Sequence, residues 1–194
     1  MKANVGMVYP VYAPITAYTP GTSITYGNGA VAAEAVSANI SWNRVDDRFY
    51  GDDEDLDSDN GVRGYTLSFE PSGVKDSVRA AMLGETLATS DYEINDNAAP
   101  DIGFGYVRVM RETNSSGVVE TVYESWWFRK LKFGITSEES RTKEGNIVWR
   151  VPTLTGIGAG INLDNSGKIK YAMHRTHATL ANAKSWLNTL ANIT

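Results

Sequence analysis

The chain has 194 residues, of which 42% are hydrophobic, and this is enough to bury the core of a single domain. It contains no cysteine, which excludes disulfide bonds, thiolate metal sites and cysteine nucleophiles. The net charge of −5 arises in residues 46–59, which hold eight acidic residues against Arg48, whereas the other 15 acids are outnumbered by 17 bases. No basic patch typical of nucleic-acid binding is evident. Because the sequence shows neither a membrane-spanning run nor a signal peptide, we expect cytosolic synthesis and no membrane association.

Residues 1–30 predict an extended arm. Pro10, Pro14 and Pro20 alternate with tyrosines, and proline at this spacing rules out a helix and disfavours a central strand. We expect this arm to be poorly ordered until it lies against another surface.

Residues 35–45 predict the clearest strand of the chain, because apolar and short polar side chains alternate along it. A second strand follows at 62–70, with Tyr65, Leu67 and Phe69 on one face. The polar face of the first strand fits either an ordinary solvent-exposed surface or a smooth polar wall, and both interpretations stay open at this stage.

The acidic segment between these strands, residues 46–61, begins like a calcium-binding loop, with acids at alternating positions. The EF-hand pattern fails, however, because Asn60 and Thr66 stand where it needs glycine and glutamate. The composition favours a mobile, self-repelling loop that becomes ordered against a partner.

Two helices are predicted. In residues 72–83, Val78 and Met82 fall at helical spacing and Gly84 stands at the C-cap position, so this amphipathic helix should cover one face of a sheet. Residues 176–193 predict a terminal helix with one apolar side.

The most hydrophobic part of the chain predicts a long antiparallel hairpin. Residues 100–111 and 118–133 are rich in aromatic and β-branched side chains, and the turn cluster Asn114-Ser115-Ser116-Gly117 separates them. Strands of this length span roughly 30 to 50 Å at ~3.3 Å per residue, more than a small monomer can cover. The hairpin therefore favours association with further copies of the chain. Two more strands are predicted, at 146–156 and at 168–174.

No catalytic pattern is recognisable. The two histidines, His174 and His177, lack a third metal ligand, and neither a nucleophile elbow nor a phosphate-binding loop occurs. We therefore expect no enzymatic activity, no metal and no cofactor.

The order of these segments resembles the major tail proteins, or tail tube proteins, of long-tailed siphophages. The similarity begins with VYAPIT and TYGNGAVAAEAVSANISWN, and continues through FYGDDED and VKDSVRAAMLGET. Its most specific part is residues 100–156, with GFGYVRVMRE and VYESWWFRKLKFGITSEESRTKEGNIVWRVPTLTG.

This resemblance implies a mainly β fold: a β-sandwich or barrel-like pair of sheets with a flanking helix, an extended arm (1–30), a tube domain (31–175) and a C-terminal helix (176–194). It also implies hexameric rings that stack into a hollow conduit for DNA. The other partners it implies are the tape measure protein, the tail terminator and the distal tail or baseplate proteins.

The arm and the acidic loop, which lack evident internal partners, are the natural bridges between copies. We expect the acidic loop to pack on an adjacent ring, opposite basic residues such as Arg129, Lys130, Arg141 or Lys143. Its acidic residues are Asp46, Asp47, Asp52, Asp53, Glu54, Asp55, Asp57 and Asp59.

Short polar side chains would let DNA slide along the inner wall of such a tube. The residues expected to face the lumen are Ser37, Asn39, Ser41, Asn43, Thr66, Ser68 and Glu70. Those expected in the core or in subunit contacts are Trp42, Trp126, Trp127, Phe128 and Trp149. Two alternatives remain: a tube protein of a secretion or contractile injection system, and a carbohydrate-binding β-sandwich.

Overall fold

The computed structural model describes residues 2–45, 47–51, 54–59, 61–88, 91–94, 96–137, 152–164 and 167–194. The fold is mainly β, as the sequence predicts, with two helices. The strands are β1 (Lys2–Thr19), β2 (Ser23–Tyr26), β3 (Ala30–Val31), β4 (Ala33–Arg44), β5 (Asp47–Gly51), β6 (Glu54–Asp59), β7 (Val62–Val74), β8 (Thr86–Leu87), β9 (Tyr92–Glu93), β10 (Ile102–Thr113), β11 (Val119–Ser137), β12 (Thr153–Gly158) and β13 (Ala172–His177). The helices are α1 (Asp76–Leu83) and α2 (Leu180–Ala191).

Among the described residues, nine strands form one main sheet in the order β2–β1–β10–β11–β12–β7–β4, with β3 paired to β1 and β13 paired to β11. The sheet curls into a half-barrel. The link from β3 to β4 returns the chain towards β1, because the Ala32 amide donates to the Pro10 carbonyl at 2.8 Å.

The predicted long hairpin is confirmed as β10 and β11, which pair from Ile102 with Leu131 to Thr113 with Val119, with one register shift between Ile102 and Phe104. The Asn114 amide donates to the Val118 carbonyl at 2.9 Å, and Gly117 adopts a φ of 79°, a left-handed conformation that favours glycine. Local turn chemistry and β-rich composition were therefore sufficient to predict this element.

The prediction of an arm without internal partners is wrong for residues 2–19. This segment is extended, but as β1 it pairs with β10 from Lys2 to Pro14 and is covered on its other side by β2 and β3. Pro10 lies at a register shift, where the ladder does not need its missing N–H. Proline thus marks an irregularity in a paired strand here.

Two hydrophobic cores lie on opposite faces of the sheet. The inner core fills the curl with Leu67, Phe69, Phe104, Phe128 and the buried side of α1. The outer core lies under α2 and consists of Val11, Ala13, Val107, Trp127, Ala183, Leu187 and Ala191. The terminal helix is therefore part of the packed fold.

Trp127 and Phe128 show how adjacent residues of β11 serve different cores. Both side chains are fully buried, Trp127 in the outer core and Phe128 in the inner core. Neighbouring rings of this run therefore point to opposite faces of the sheet.

The first helix begins later than predicted. Residues 72–74 continue strand β7 and pair with β4, Gly73 with Glu34 and Val74 with Ala33, so α1 starts at Asp76. The buried positions and the left-handed C-cap at Gly84 are as predicted.

Four other segments also differ from the prediction. The acidic segment is a small antiparallel hairpin, β5 with β6, rather than an irregular loop. The predicted strand at 146–156 is described only from 152 onwards, and it runs as β12 to Gly158. The predicted strand at 168–174 is β13, which starts and ends later because it pairs with β11 through His177. The terminal helix therefore begins at Leu180 rather than at 176.

Candidate assembly surface

A polar face runs across strands β4 and β7, and it brings together all seven residues predicted to face a lumen. Directly paired residues lie side by side: Ser37 opposite Glu70, Asn39 opposite Ser68, and Ser41 opposite Thr66. Asn43 continues the same row at the end of β4. These seven side chains are exposed or half-buried. We name this surface, together with its continuation on β12 and the distal half of β11, the polar wall.

Successive side chains along both strands point to opposite faces of the sheet, and this alternation produces the arrangement. On β7, Tyr65, Leu67 and Phe69 are fully buried in the inner core, which leaves the intervening side chains on the outside. The Ser37 hydroxyl donates to a Glu70 carboxylate oxygen at 2.7 Å, which ties β4 to β7 on the exposed face.

The polar wall continues onto β12 and the distal half of β11, which the sequence did not predict. Thr155 pairs with Ser68, and Ile157 pairs with Thr66. On the next strand, Lys132 lies opposite Ile157, and Gly134 lies opposite Thr155. The four strands β4, β7, β12 and β11 thus share one outer face.

Two glycines of β12 occupy inner-face positions that have no room for a side chain. A Cβ on Gly156 would lie 2.6 Å from Leu131 Cδ1, and one on Gly158 would lie 1.9 Å from Tyr65 Cζ. Only glycine therefore fits on the inner face at these two positions, and Ile157 between them is 70% exposed on the wall. The alternation T-L-T-G-I-G was the signal in the sequence that could have identified Thr155 and Ile157.

A depression of about 890 Å³ lies on the β11–β12 part of the wall. Its lining includes Lys130, Lys132, Thr155, Ile157 and Asp101, the last from the segment just before β10.

The charges beside this depression are paired. One carboxylate oxygen of Asp101 lies 3.1 Å from Lys130 Nζ, and the other lies 3.9 Å from Lys132 Nζ. Lys130 Nζ also lies 5.3 Å from the centre of the Tyr18 ring. Lys130, Lys132, Asp101 and Glu70 together carry equal positive and negative charge.

Both outer strands of this four-stranded region, β4 and β11, have an edge without a described partner. β4 pairs with β7 along one edge, and none of the described strands pairs with its other edge. β10 pairs with β11 only as far as Leu131, whereas β11 continues to Ser137 and pairs there with β12 alone among the described strands. Unpaired backbone groups on such edges are templates for pairing with another chain.

The predicted aromatic contacts are divided between the core and its rim. Trp42 is half-buried beside Tyr65, with ring centres 5.5 Å apart. Trp126 is half-buried and stacks on His174 at 4.8 Å, while the Arg108 guanidinium lies 4.7 Å from the indole. Trp149 lies outside the described residues.

The two histidines do not form a joint site. His174 Nδ1 lies 3.3 Å from a Glu124 carboxylate oxygen, whereas His177 packs against Trp186 of α2. His177 Nε2 is buried without a hydrogen-bond partner, and burial together with the nearby Arg175 lowers the pKa of this imidazole. In the described part of the chain, no three His, Asp or Glu side chains converge as metal ligands would.

The packing of the acidic segment on an adjacent ring, opposite basic residues, stays a prediction. Asp46, Asp52 and Asp53 lie outside the described residues, as do the proposed basic partners Arg141 and Lys143. The Arg129 guanidinium donates to Met173 Sδ, and Lys130 is paired with Asp101.

No family model matches the chain, and no curated protein is found to be similar to it. The described helices are too short to cross a lipid bilayer.

Proposed function

We propose that this chain is a tail tube subunit that polymerises as stacked hexameric rings into a hollow conduit for DNA in the tail of a long-tailed bacteriophage. The observation that carries the proposal is the polar wall, which lies opposite a hydrophobic core and ends in two strand edges without described partners.

The two edges are suited to pair with each other between copies. Strands β11, β12, β7 and β4 alternate in direction, so β4 of one copy would run antiparallel to β11 of the next. The two surfaces differ, and contacts of this kind form a ring when the rotation between copies closes. Each subunit would then contribute four strands to one continuous wall.

Side chains on the inner face of both edges support this pairing. Ile40 and Trp42 on β4 and Ile135 on β11 are half-buried at the rim of the inner core. A neighbouring strand at either edge would cover them and extend the core between subunits. Obligate interfaces of this kind bury on the order of 2,000 to 5,000 Å².

The chemistry of the wall suits a passage for DNA. Duplex DNA carries one negative charge per ~1.7 Å, and unpaired basic side chains would retain it through counterion release. Most of the wall is short and polar, and its lysines are paired with Asp101.

The remaining contacts of the proposed tube follow from the resemblance. The acidic hairpin β5–β6 would bridge to an adjacent ring. The tape measure protein would occupy the lumen during assembly, and the tail terminator and the distal tail or baseplate proteins would close the two ends.

Electron microscopy of the purified protein tests the proposal, because it predicts rings or tubes. Asn39→Lys/Ser41→Lys should abolish them and leave the fold intact, since both side chains are exposed and lysine on an edge disfavours strand pairing. Ser115→Lys/Ser116→Lys, which adds the same charge at the turn of the long hairpin, is the control. A wild-type protein that stays monomeric at high concentration and is absent from tail shafts would refute the proposal.

A tube protein of a secretion or contractile injection system would share the same wall and edges. Neighbouring genes separate the two functions: a tape-measure gene without a sheath gene favours a siphophage tail. A carbohydrate-binding β-sandwich would form neither rings nor tubes.

A further inference from the structure

Lys130 and Lys132 form a pair of cations that a single carboxylate holds. They are two residues apart in the distal half of β11, and both line the depression on the polar wall. Asp101 reaches both ammonium groups, with N–O distances of 3.1 Å to Lys130 and 3.9 Å to Lys132.

We propose that Asp101 masks a latent binding site for the phosphate backbone of duplex DNA, formed by Lys130 and Lys132. Residues two apart on a strand are roughly 6.7 Å apart, so the two ammonium groups are close enough to contact the same stretch of a DNA backbone. With the carboxylate in place, the charges of Lys130, Lys132, Asp101 and Glu70 balance. Without it, the two lysines and Glu70 carry a net positive charge.

The carboxylate of Asp101 can be separated from the structural role of its backbone. The Ile15 amide donates to the Asp101 carbonyl at 2.9 Å, a bond that any side chain at position 101 would preserve. The two ion pairs are partly exposed, and pairs of this kind add little to stability. Removing the charge should therefore change binding far more than folding.

The masking depends only on contacts within one subunit, between Asp101 and the two lysines. Its purpose in keeping DNA mobile rests on the proposed function. A wall that carried the lysines without Asp101 would bind the polymer that it must conduct, and the effect would repeat in every subunit.

Binding of a fluorescent duplex of about 30 base pairs and mixed sequence, measured by anisotropy from about 50 to 200 mM salt, tests the inference. Asp101→Asn should bind at least ~10-fold more tightly than wild type at the lowest salt, with a log–log salt slope near −2 for two phosphate contacts. Glu112→Gln is the matched control, because it removes one negative charge from another exposed pair, 3.4 Å from Lys2 Nζ.

Adding Lys130→Ala and Lys132→Ala to Asp101→Asn should return binding to the wild-type level. The inference is overturned if Asp101→Asn binds no more tightly than Glu112→Gln, or if the lysine substitutions leave the gained binding intact. Asp101→Ser serves as a second variant if Asp101→Asn does not fold. A wild-type chain that forms no tubes, combined with a gain of binding in Asp101→Asn, would refute the conduit and leave the masking established.

Discussion

Two glycines of the long hairpin provide a sharp test of how the outer core is packed. Gly105 on β10 lies under the indole of Trp127, and a Cβ built there would lie 2.7 Å from Trp127 Cε3 and 2.7 Å from the Trp126 carbonyl oxygen. Gly134 on β11 has nothing within 4 Å of the same position. Neither glycine has a left-handed φ, so alanine is compatible with both backbones.

The expected magnitudes follow from these distances. Replacing glycine by alanine stabilises a protein by about 0.4–1 kcal/mol where the site is open, because the unfolded chain loses freedom. Overpacking a close-packed site costs about 1–3 kcal/mol. The loss of freedom in the unfolded chain is common to both sites. The difference in the free energy of unfolding between Gly105→Ala and Gly134→Ala should therefore equal the overpacking cost alone, about 1–3 kcal/mol.

Equilibrium unfolding of the unassembled chain in urea measures this difference. Gly134→Ala should raise the midpoint and Gly105→Ala should lower it, with little change in the denaturant slope. A difference below about 0.5 kcal/mol, or one of opposite sign, would show that the packing of Trp127 against β10 is not as described.

Three further substitutions test other parts of the fold. Tyr26→Phe should cost about 1–3 kcal/mol in urea unfolding, because the Tyr26 hydroxyl accepts from Trp127 Nε1 at 3.3 Å and the buried indole N–H would lose its partner. Thr179→Ala should cost about 1 kcal/mol, because the Thr179 hydroxyl caps α2. For His177, burial and Arg175 lower the pKa, so its contribution to stability is present above the ordinary pKa of the imidazole and is lost as the pH falls through it. His177→Phe should therefore lose less stability than wild type between pH ~7 and ~5.

Each of these three has its own control or contradicting result. The Tyr26 prediction fails if Tyr26→Phe is as stable as wild type. Thr179→Ser should retain the stability that Thr179→Ala loses, and equal losses would exclude capping as the cause. A parallel pH dependence of wild type and His177→Phe would show that the imidazole ionises in the fold as freely as it does in the unfolded chain.

Much of the local structure could be predicted from the sequence. The alternation along residues 35–45 and 62–70 gave the correct faces of β4 and β7, and the turn at Asn114 and Gly117 gave the hairpin. These signals are local, because side-chain direction in a strand and backbone conformation in a turn depend on adjacent residues.

The main failures concern segments whose state depends on distant partners. Residues 2–19 look like an unpaired arm until β10 is placed beside them, since proline disfavours a strand in general but is tolerated at a bulge. Residues 72–74 continue β7 because β4 supplies a ladder to pair with, although their local pattern suits the start of a helix.

The sequence by itself determined the long hairpin, strand β4 and most of β7, the two helices to within a few residues, and which side chains share a face along these strands. Only the tertiary structure placed β12 between β11 and β7, set Lys130, Lys132 and Ile157 on the same wall as Ser41, and brought Asp101 to the two lysines. The physical reason is that periodicity records burial along one strand, whereas the identity of the neighbouring strand depends on pairing between residues far apart in the chain.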